Sequence, residues 1–342
     1  MIDQMLSRGI IPDFVIRGGI KSLLKQRLKD EYGEEKELAN KRKNELINEL
    51  RNSPIAIETD KANDQHYMVP TDFFEKSLGA RLKYSCCHWD HATDLDSAEE
   101  EMLALTVERA GIQDGDSILE LGHGWGAITL YMAEKFPNSK VTAVSNSKSQ
   151  GDFIKEKAFK KDLNNIEIIT ANVAEFDIER KIDRVISIEM FEHMRNYQVL
   201  LERINGWLTD KGTLFVHIFA HKELSYKYEV VDESDWMSKY FFSGGIMPSE
   251  DLFYSFQDHL RIKDYWRVNG THYAKTARAW LENMDSNRQE ILEIFKSHYP
   301  KGEERKWFNY WRVFFMSCEE LWKFNKGDEW FVGHYLFGKS VK

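Results

Sequence analysis

The sequence predicts an α/β fold built around a mostly parallel β-sheet, and three observations support this prediction. From residue 112 onward, short runs rich in β-branched residues alternate with segments of helical periodicity. A glycine-rich turn follows the first of these runs, which is typical of a strand that passes directly into a helix. The chain has 342 residues, of which 42% are hydrophobic, and this is enough for a large core or for two domains.

The predicted strands follow one another as repeated βα units. Five runs are predicted to be parallel strands, namely SILELG, VTAVSN, IEIITAN, IDRVISIEM and GTLFVHIFA. Two later runs, RIKDYWRVNG and EWFVGHYLFGKS, are expected to complete the sheet, with one antiparallel member. Together these runs predict seven strands.

Two segments lie outside this pattern. Residues 1–62 are predicted to form a helical extension before a main domain of residues 63–342, because Leu and Ile recur every three or four positions between residues 20 and 52. The predicted amphipathic helices would attach the protein to a membrane surface or partner, or cover the main core, and they also offer a surface for a homodimer. Residues 221–248 form a long aromatic-rich insertion, and loops of this length usually act as lids or binding elements.

Composition excludes several classes of function. The net charge of −9 argues against a nucleic-acid partner, because phosphate binding normally requires a basic face, and it fits neutral or cationic small molecules better. No apolar stretch approaches the roughly 20 residues that span a bilayer, and the start lacks the pattern of a signal peptide, so we expect a cytoplasmic protein. The three cysteines have neither disulfide nor metal-ligand spacing, and no metal site is expected.

The segment ELGHGWG, residues 120–126, predicts a ligand site. Glycines after a strand let the backbone approach a nucleotide-type ligand at the carboxyl edge of the sheet. A dinucleotide oxidoreductase would have Gly-x-Gly-x-x-Gly and an acidic residue about 20 positions later, whereas here the second strand ends in Ser145 and Asn146. Glu120, immediately before the glycines, instead suits the cationic amino-acid portion of S-adenosylmethionine.

The segment VISIEMFEHMRNY, residues 185–197, places two carboxylates and an imidazole at the end of a buried strand. Such charges are costly there unless a surface turn exposes them or a site uses them. If a helix begins near Glu189, then Glu189, Glu192 and His193 share one helical face towards the ligand edge. The alternative is a charged helix start that the helix dipole favours.

Several stretches together resemble the plant coclaurine N-methyltransferases and related alkaloid N-methyltransferases of the cyclopropane-fatty-acid synthase superfamily. The stretches are ILELGHGWG, YSCCHW, SNSKSQ, SIEMFEHMRNY, YFFSGGIMP, VNGTHYAKT, YWRVFF, WFVGHYLF and PIAIETDKANDQHYMVPTDFF. This resemblance implies a class I S-adenosylmethionine-dependent methyltransferase fold, Rossmann-like, with a mostly parallel seven-stranded sheet and one antiparallel strand. It also implies methyl transfer to a small aromatic or tetrahydroisoquinoline-like amine.

The resemblance further implies a set of cofactor contacts. The methionine end of the cofactor would contact Tyr84 and Ser85, and the glycine loop would be formed by Glu120, Gly122, Gly124 and Gly126. The ribose region would be held by Asn146 and Gln150, and the adenine would be flanked by Asn172 and Val173. The family commonly has Cys where His123 stands and Asp where Asn172 stands. The amide oxygen of Asn172 would still accept from an adenine amine, and His123 is expected to be a tolerated substitution.

The same resemblance makes Glu189, Glu192 and His193 the proton-handling residues. An alkylamine with a pKa of about 10 is mostly protonated at neutral pH, so a group must accept its proton. Glu192 or His193, shifted by partial desolvation, is expected to accept it, while Glu189 orients the ammonium. Four aromatic residues are expected to line the substrate pocket through packing and cation–π contact, namely Phe241, Phe242, Trp330 and Phe331.

Two alternatives stay open at the level of sequence. Lipid cyclopropane synthases of the same superfamily hold a bicarbonate base with the later Glu and His and with a cysteine, here Cys86, but they typically have a small residue where Glu189 stands. A second carboxylate would compete with bicarbonate, which favours the amine. Cys318 aligns with a cysteine of the lipid enzymes and is interpreted as a small apolar helix residue. A noncatalytic protein that binds S-adenosylmethionine has no sequence feature in its favour.

Overall fold

The computed structural model describes residues 2–33, 36–57, 69–229 and 235–340. Its main sheet has seven strands in the order β3-β2-β1-β4-β5-β9-β8. The strands are β1 (Ser117–Leu121), β2 (Lys140–Ser145), β3 (Ile166–Thr170), β4 (Ile182–Ile188), β5 (Leu208–His221), β8 (Leu260–Val268) and β9 (Trp330–Lys339). Within the described residues, β9 alone runs antiparallel to its neighbours in this sheet. The predicted fold class, including the single antiparallel strand, is confirmed.

Helices cover both faces of the sheet. They are α4 (Thr71–Ser77), α5 (Leu95–Ala110), α6 (Ala127–Lys135), α7 (Lys148–Lys160), α8 (Tyr197–Trp207), α10 (Gly270–Ser286), α11 (Arg288–His298) and α12 (Glu304–Trp322). Successive strand residues point to opposite faces, so Ile118 packs among residues of α5 and α6 while Leu119 packs among residues of α8. This double coverage explains why the predicted strands are almost continuously apolar.

Three helices precede the sheet: α1 (Ile2–Arg8), α2 (Asp13–Tyr32) and α3 (Lys36–Asn52). The guanidinium of Arg17 on α2 pairs with the carboxylates of Glu319 and Glu320 on α12 at 2.7 and 2.8 Å. Leu50 on α3 is fully buried in the same cluster as α8. These contacts support the covering role of the extension.

The predicted boundary between residues 62 and 63, and residues 58–68 of the PIAIETDKANDQHYMVPTDFF stretch, lie outside the described residues. No helix in the described ranges is both long enough and apolar enough to cross a membrane.

The insertion after β5 folds back as a small two-stranded sheet and one short helix. β6 (Tyr226–Lys227) pairs with β7 (Ile246–Met247), and α9 (Trp236–Tyr240) lies between them in sequence. Residues 230–234 of the insertion are outside the described ranges. A 3-10 turn over Leu252–Phe256 follows the insertion. The Phe242 ring lies 5.7 Å from that of Phe219 on β5, which brings the insertion to the carboxyl end of the sheet.

Candidate active site

A cavity of about 1330 Å³, its open mouth included, lies at the carboxyl ends of β1, β4 and β5. The glycine loop, the segment after β4, the insertion, α10 and α12 all contribute to its wall. Ten of the residues predicted to form the site line it: Tyr84, Ser85, Glu120, Gly122, Gly124, Gln150, Glu189, Glu192, His193 and Phe242. The structure therefore places residues of the glycine loop, 120–126, and of the segment 185–197 around one cavity.

The three glycines of the loop have different reasons to be glycine. All have positive φ, at 85°, 48° and 83° for Gly122, Gly124 and Gly126, a region that side chains rarely adopt. A Cβ at Gly126 would lie 2.7 Å from Ile154, so this glycine is required by helix packing and lies outside the cavity lining. No protein atom lies within 4 Å of a Cβ position at Gly124, which lines the cavity. Gly124 therefore leaves room for a ligand, whereas Gly126 closes the loop against Ile154 on α7.

Glu120 is a buried acid at the end of β1. It is 1% exposed, and one carboxylate oxygen accepts a hydrogen bond from the hydroxyl of Thr129. Burial raises its pKa to about 8, and the Thr129 hydrogen bond opposes this rise. Among the described residues, no cation forms an ion pair with Glu120, so a ligand cation beside it would gain an unshared partner.

The cofactor side of the cavity also presents acceptor atoms. His123 is buried, and its Nδ1–H donates to the Gly124 carbonyl at 3.0 Å. Burial lowers the pKa of His123 to about 4, so the ring is neutral and its Nε2 is an acceptor. Nε2 of His123 and Oε1 of Gln150 are buried without a hydrogen-bond partner among the described residues. Two buried acceptors fit a ligand with hydroxyl or amino donors, as in a nucleoside.

Besides Gly126, three predicted cofactor residues lie outside the cavity lining: Asn146, Asn172 and Val173. The side-chain oxygen of Asn172 accepts the Ala174 N–H at 2.9 Å and so caps a local turn. Val173 is 8% exposed and belongs to a core cluster. These two residues lie beyond the cavity lining, and their contacts with adenine stay a prediction.

Lys83 is a site residue that the sequence analysis missed. It is 2% exposed, and its ammonium donates to Ser85 Oγ at 2.5 Å and to the Cys86 carbonyl at 2.6 Å. A buried cation needs compensating charge. Lys83 directly precedes the YSC segment, and this position was the only sequence signal that it belongs to the site. A lysine in such a position does not by itself indicate burial.

The segment after β4 is not the helix that was predicted. β4 ends at Ile188, Glu189 has a φ of 46°, and only a single 3-10 turn follows, over Phe191–His193. A positive φ is uncommon outside glycine and persists when the surroundings fix it. Here the Glu189 N–H donates to the His217 carbonyl at 2.8 Å. The turn, and not helical periodicity, directs Glu189 and Glu192 into the cavity.

The Glu189 carboxylate is held by three donors. Its Oε1 accepts from the Cys86 N–H at 3.0 Å and from His217 Nε2 at 3.2 Å, and its Oε2 accepts from the Tyr273 hydroxyl at 2.6 Å. Burial raises its pKa, whereas the Lys83 ammonium, the Tyr273 hydroxyl and the Cys86 N–H act to lower it. The three donors fix the orientation of the carboxylate and favour its ionised form against the effect of burial.

Glu192 has the opposite environment. It is fully buried, and neither of its carboxylate oxygens has a hydrogen-bond partner among the described residues. Burial, and then the charge of Glu189, raise its pKa well above the ordinary value. The His193 ring lies 4.9 Å from that of Phe242 on the insertion. A cationic ligand favours the ionised form of the Glu192 carboxyl group, and the resulting carboxylate, with free lone pairs and a raised pKa, is suited to accept the ligand's proton.

The aromatic wall differs from the predicted one. Phe242 lines the cavity, but Phe241 stacks on Phe314 at 4.5 Å within the core. Trp330 Nε1 donates to the Tyr226 hydroxyl, and Phe331 lies 4.0 Å from the Arg267 guanidinium. These three predicted residues lie outside the cavity lining. The wall is formed instead by residues that the sequence analysis did not select: Phe219, Tyr228, Met237, Met247, Phe314, Leu321 and Trp322.

One cluster in the described part of the chain has the composition of a metal site, formed by His88, Asp90 and His272. The two imidazoles are stacked at 4.5 Å with an interplanar angle of 9°, so their in-plane lone pairs do not converge on one point. The Trp89 N–H also donates to His272 Nδ1 at 2.9 Å, which leaves the proton of the neutral ring on Nε2. The arrangement therefore does not favour a shared metal ion.

Comparison with known proteins gives consistent matches. Residues 56–330 match the family model of mycolic acid cyclopropane synthetase. The chain is 41% identical to (S)-coclaurine N-methyltransferase of Thalictrum flavum subsp. glaucum, covering 98% of this chain and 95% of the relative. It is 36% identical to pavine N-methyltransferase of the same plant, covering 98% and 96%.

Solved structures give the same grouping. A coclaurine N-methyltransferase bound to N-methylheliamine and SAH superposes with a TM-score of 0.94 at 37% identity, covering 99% of each chain. The cyclopropane synthase MmaA2 of Mycobacterium tuberculosis has a TM-score of 0.71 at 19% identity, covering 84% of this chain and all of that one. The second likeness shows the fold alone.

Proposed function

Since the chain belongs to the mycolic acid cyclopropane synthetase family and is an S-adenosylmethionine-dependent N-methyltransferase of class I fold, we propose that it methylates a flat aromatic amine of the tetrahydroisoquinoline type. One observation carries this proposal. The buried Glu192 carboxyl, without a described hydrogen-bond partner, lies in the same aromatic-walled cavity as the anchored Glu189 carboxylate. An ammonium on an aromatic scaffold matches both the charge and the shape of this space.

The cofactor fits the opposite side of the cavity. Glu120, Tyr84 and Ser85 would hold the amino-acid end, and the open side of Gly124 would admit the chain of the ligand. Gln150 Oε1 and His123 Nε2 would accept hydrogen bonds from its hydroxyl or amino groups. When bound, the sulfonium of the cofactor would supply an activated methyl carbon to the lone pair of the amine, with the neutral thioether as the leaving group.

The residues of this chain prepare the nucleophile for that displacement. The amine arrives as an ammonium, and its positive charge favours the ionised form of Glu192; this carboxylate then takes the proton, because its oxygens have free lone pairs and its raised pKa makes it a stronger base than usual. His193 lines the same wall and is a second acceptor. The three donors to Glu189 favour its ionised form, and its Oε2, which accepts only the Tyr273 hydroxyl among the described residues, would hold the positive charge of the amine in the cavity. Orientation of the two reactants supplies much of the remaining acceleration.

The bicarbonate-dependent lipid reaction fits this site less well. The Cys86 N–H, His217 and the Tyr273 hydroxyl already bind a carboxylate of the chain itself. A bicarbonate ion there would have to displace Glu189 and would meet its negative charge. Burial also raises the pKa of the Cys86 thiol, which keeps it neutral. Protein groups therefore replace the external base.

A methyl-transfer assay with labelled cofactor tests the function directly. We expect incorporation into 1,2,3,4-tetrahydroisoquinoline that does not respond to removal of bicarbonate, and no incorporation into vesicles of unsaturated phosphatidylethanolamine. Methyl incorporation into the lipid, if it is lost when bicarbonate is removed, would overturn the proposal.

The homodimer and the cytoplasmic location stay predictions. Val15 and Leu23 lie about two turns apart on one side of α2, are 48% and 51% exposed, and provide an apolar patch for such a dimer, which light scattering in solution would test.

A further inference from the structure

A chain of hydrogen bonds continues from the active site into the sheet. His217 Nε2 lies 3.2 Å from Glu189 Oε1, and His217 Nδ1 lies 2.9 Å from His334 Nε2. His334 Nδ1 then lies 2.8 Å from Nη1 of Arg109. His217 on β5 and His334 on β9 are opposite each other in the antiparallel register and are both fully buried. We refer to His217, His334 and Arg109 as the histidine relay.

The arginine fixes the direction of every bond in the histidine relay. A guanidinium has donors only, so His334 Nδ1 must accept from Arg109. The proton of neutral His334 is then on Nε2 and is donated to His217 Nδ1. The proton of neutral His217 is consequently on its own Nε2 and is donated to Glu189. Burial lowers the pKa of both histidines well below the ordinary value, in agreement with two neutral rings.

We infer that His334 and Arg109 are positioning residues, which hold His217 as the Nε2–H tautomer and thereby keep the Glu189 carboxylate ionised and oriented. Neither touches the cavity, and both act through His217. The inference deepens the proposed function, on which the role of Glu189 rests. Arg109 is secured from outside by Trp266 on β8, whose ring lies 5.2 Å from the guanidinium.

The opposite tautomer of His217 would change the charge of the site. Its Nε2 lone pair would then face a carboxylate oxygen at 3.2 Å, and two acceptors repel. Protonation of Glu189 would relieve the repulsion, so its pKa would rise. Other ionisable groups face Glu189 or the two rings and are unchanged by this exchange: Lys83, Cys86, Cys87, His88, Glu192, Tyr273 and Cys318.

Two substitutions of His334 separate tautomer control from packing. In His334→Gln the amide oxygen accepts from Arg109 and the amide nitrogen donates to His217, so the direction of the bonds is kept. In His334→Leu both bonds are lost. Because a raised Glu189 pKa delays its ionisation, we expect the acidic limb of the kcat/KM profile to move up by about one to two pH units in His334→Leu. The limb of His334→Gln should stay within about 0.3 units of the wild type.

Arg109→Met provides a second test outside the strand core. It removes the only obligatory donor, so the expected shift has the same direction as in His334→Leu. The control is His221→Gln. His221 is a buried histidine on β5, the strand of His217, but it bonds to Glu329 and lies outside the histidine relay. This control should leave the acidic limb in place. The inference would be overturned if the acidic limb of the kcat/KM profile lay at the same pH in the wild type, His334→Leu and Arg109→Met, with thermal denaturation curves showing that each protein is folded.

A spectroscopic measurement tests the tautomers without any turnover. In 15N-histidine-labelled full-length protein, long-range 1H–15N spectra should show His217 and His334 as neutral Nε2–H rings, with His334 assigned from its absence in His334→Gln. In His334→Leu, His217 should gain Nδ1–H character. An Nδ1–H ring at either position in the wild type would contradict the inference even if the protein methylates amines. Two Nε2–H rings in a protein that methylates no amine would overturn the proposed function and leave the relay intact.

Discussion

The two sides of the cavity are constructed in different ways. The cofactor side depends mainly on one short segment, residues 120–126, in which backbone conformation and a buried acid create the space. The amine side depends on contacts between distant parts of the chain, since Glu189 bonds to Cys86 and Tyr273, which are 103 and 84 residues away. A local sequence motif therefore describes the first side well, whereas the charge state of the second side is a property of the tertiary structure.

The largest effect is expected where that tertiary arrangement leaves an acceptor free. Glu192→Gln removes the proposed proton acceptor while preserving shape, so kcat/KM for an amine should fall by about 10²- to 10⁴-fold. Affinity for S-adenosylhomocysteine, measured by titration calorimetry, should be nearly unchanged because the cofactor side is separate. A comparable loss of cofactor affinity would break the distinction between the two sides.

The next effect concerns the glycine loop. Gly124→Val places a side chain in ligand space and should weaken S-adenosylhomocysteine binding by roughly hundredfold. Gly111→Val is a matched control, because Gly111 has a similar positive φ and open surroundings but caps α5 away from the cavity. The control should lower the Tm and leave the affinity in place. Equal affinities in both variants would show that Gly124 does not face the cofactor.

A pH dependence of cofactor binding is the third expectation. The pKa of Glu120 is raised to about 8, so without ligand the carboxyl is mostly protonated at neutral pH. A cationic amino group beside it favours the carboxylate, so binding releases a proton and affinity should rise by roughly tenfold from pH 6 to 8. Above the raised pKa the carboxyl is already ionised, and the rise should level off. Titration calorimetry measures this, and a Glu120→Gln variant with the same pH dependence would contradict the assignment.

The smallest effect is expected at Cys86. Only its backbone N–H binds Glu189, and its thiol contacts the Cys87 carbonyl at 3.3 Å. Cys86→Ala should therefore keep kcat/KM for amine methylation within about tenfold of the wild type, or roughly 1.4 kcal/mol of barrier. A steady-state assay in buffers with and without bicarbonate checks this. A larger, bicarbonate-dependent loss of kcat/KM would indicate that the amine side uses a bicarbonate base, as the lipid enzymes do.

The strands and the glycine loop were predictable because their signals are local. Apolar runs define β1 and β4, and the glycines after Glu120 define a ligand turn. The left-handed φ of Glu189 was not predictable, because hydrogen bonds to a strand 28 residues away fix it. The helical interpretation of that segment was wrong for this reason.

Residues within the strands were the hardest to assign. Trp330 and Phe331 are consecutive aromatic residues of β9, which is buried on both faces, so alternation did not show which of them faces a cavity. His217 and His334 likewise lie in apolar runs, and only the register of β5 and β9 brings them together. The contact between His217 and His334 could therefore not be predicted from the sequence, although each histidine is easily recognised there.

The central claim is that Glu192 accepts the proton of the amine, and the pH dependence of Glu192→Gln tests it most directly. The fraction of free amine rises about tenfold per pH unit below its pKa of about 10, and the variant can use only that fraction. The measurement is kcat/KM for tetrahydroisoquinoline from pH 7 to 9.5 in the wild type and in Glu192→Gln. We predict that the ratio of wild type to variant falls steeply as the pH rises. A ratio that stays constant over this range would contradict the claim.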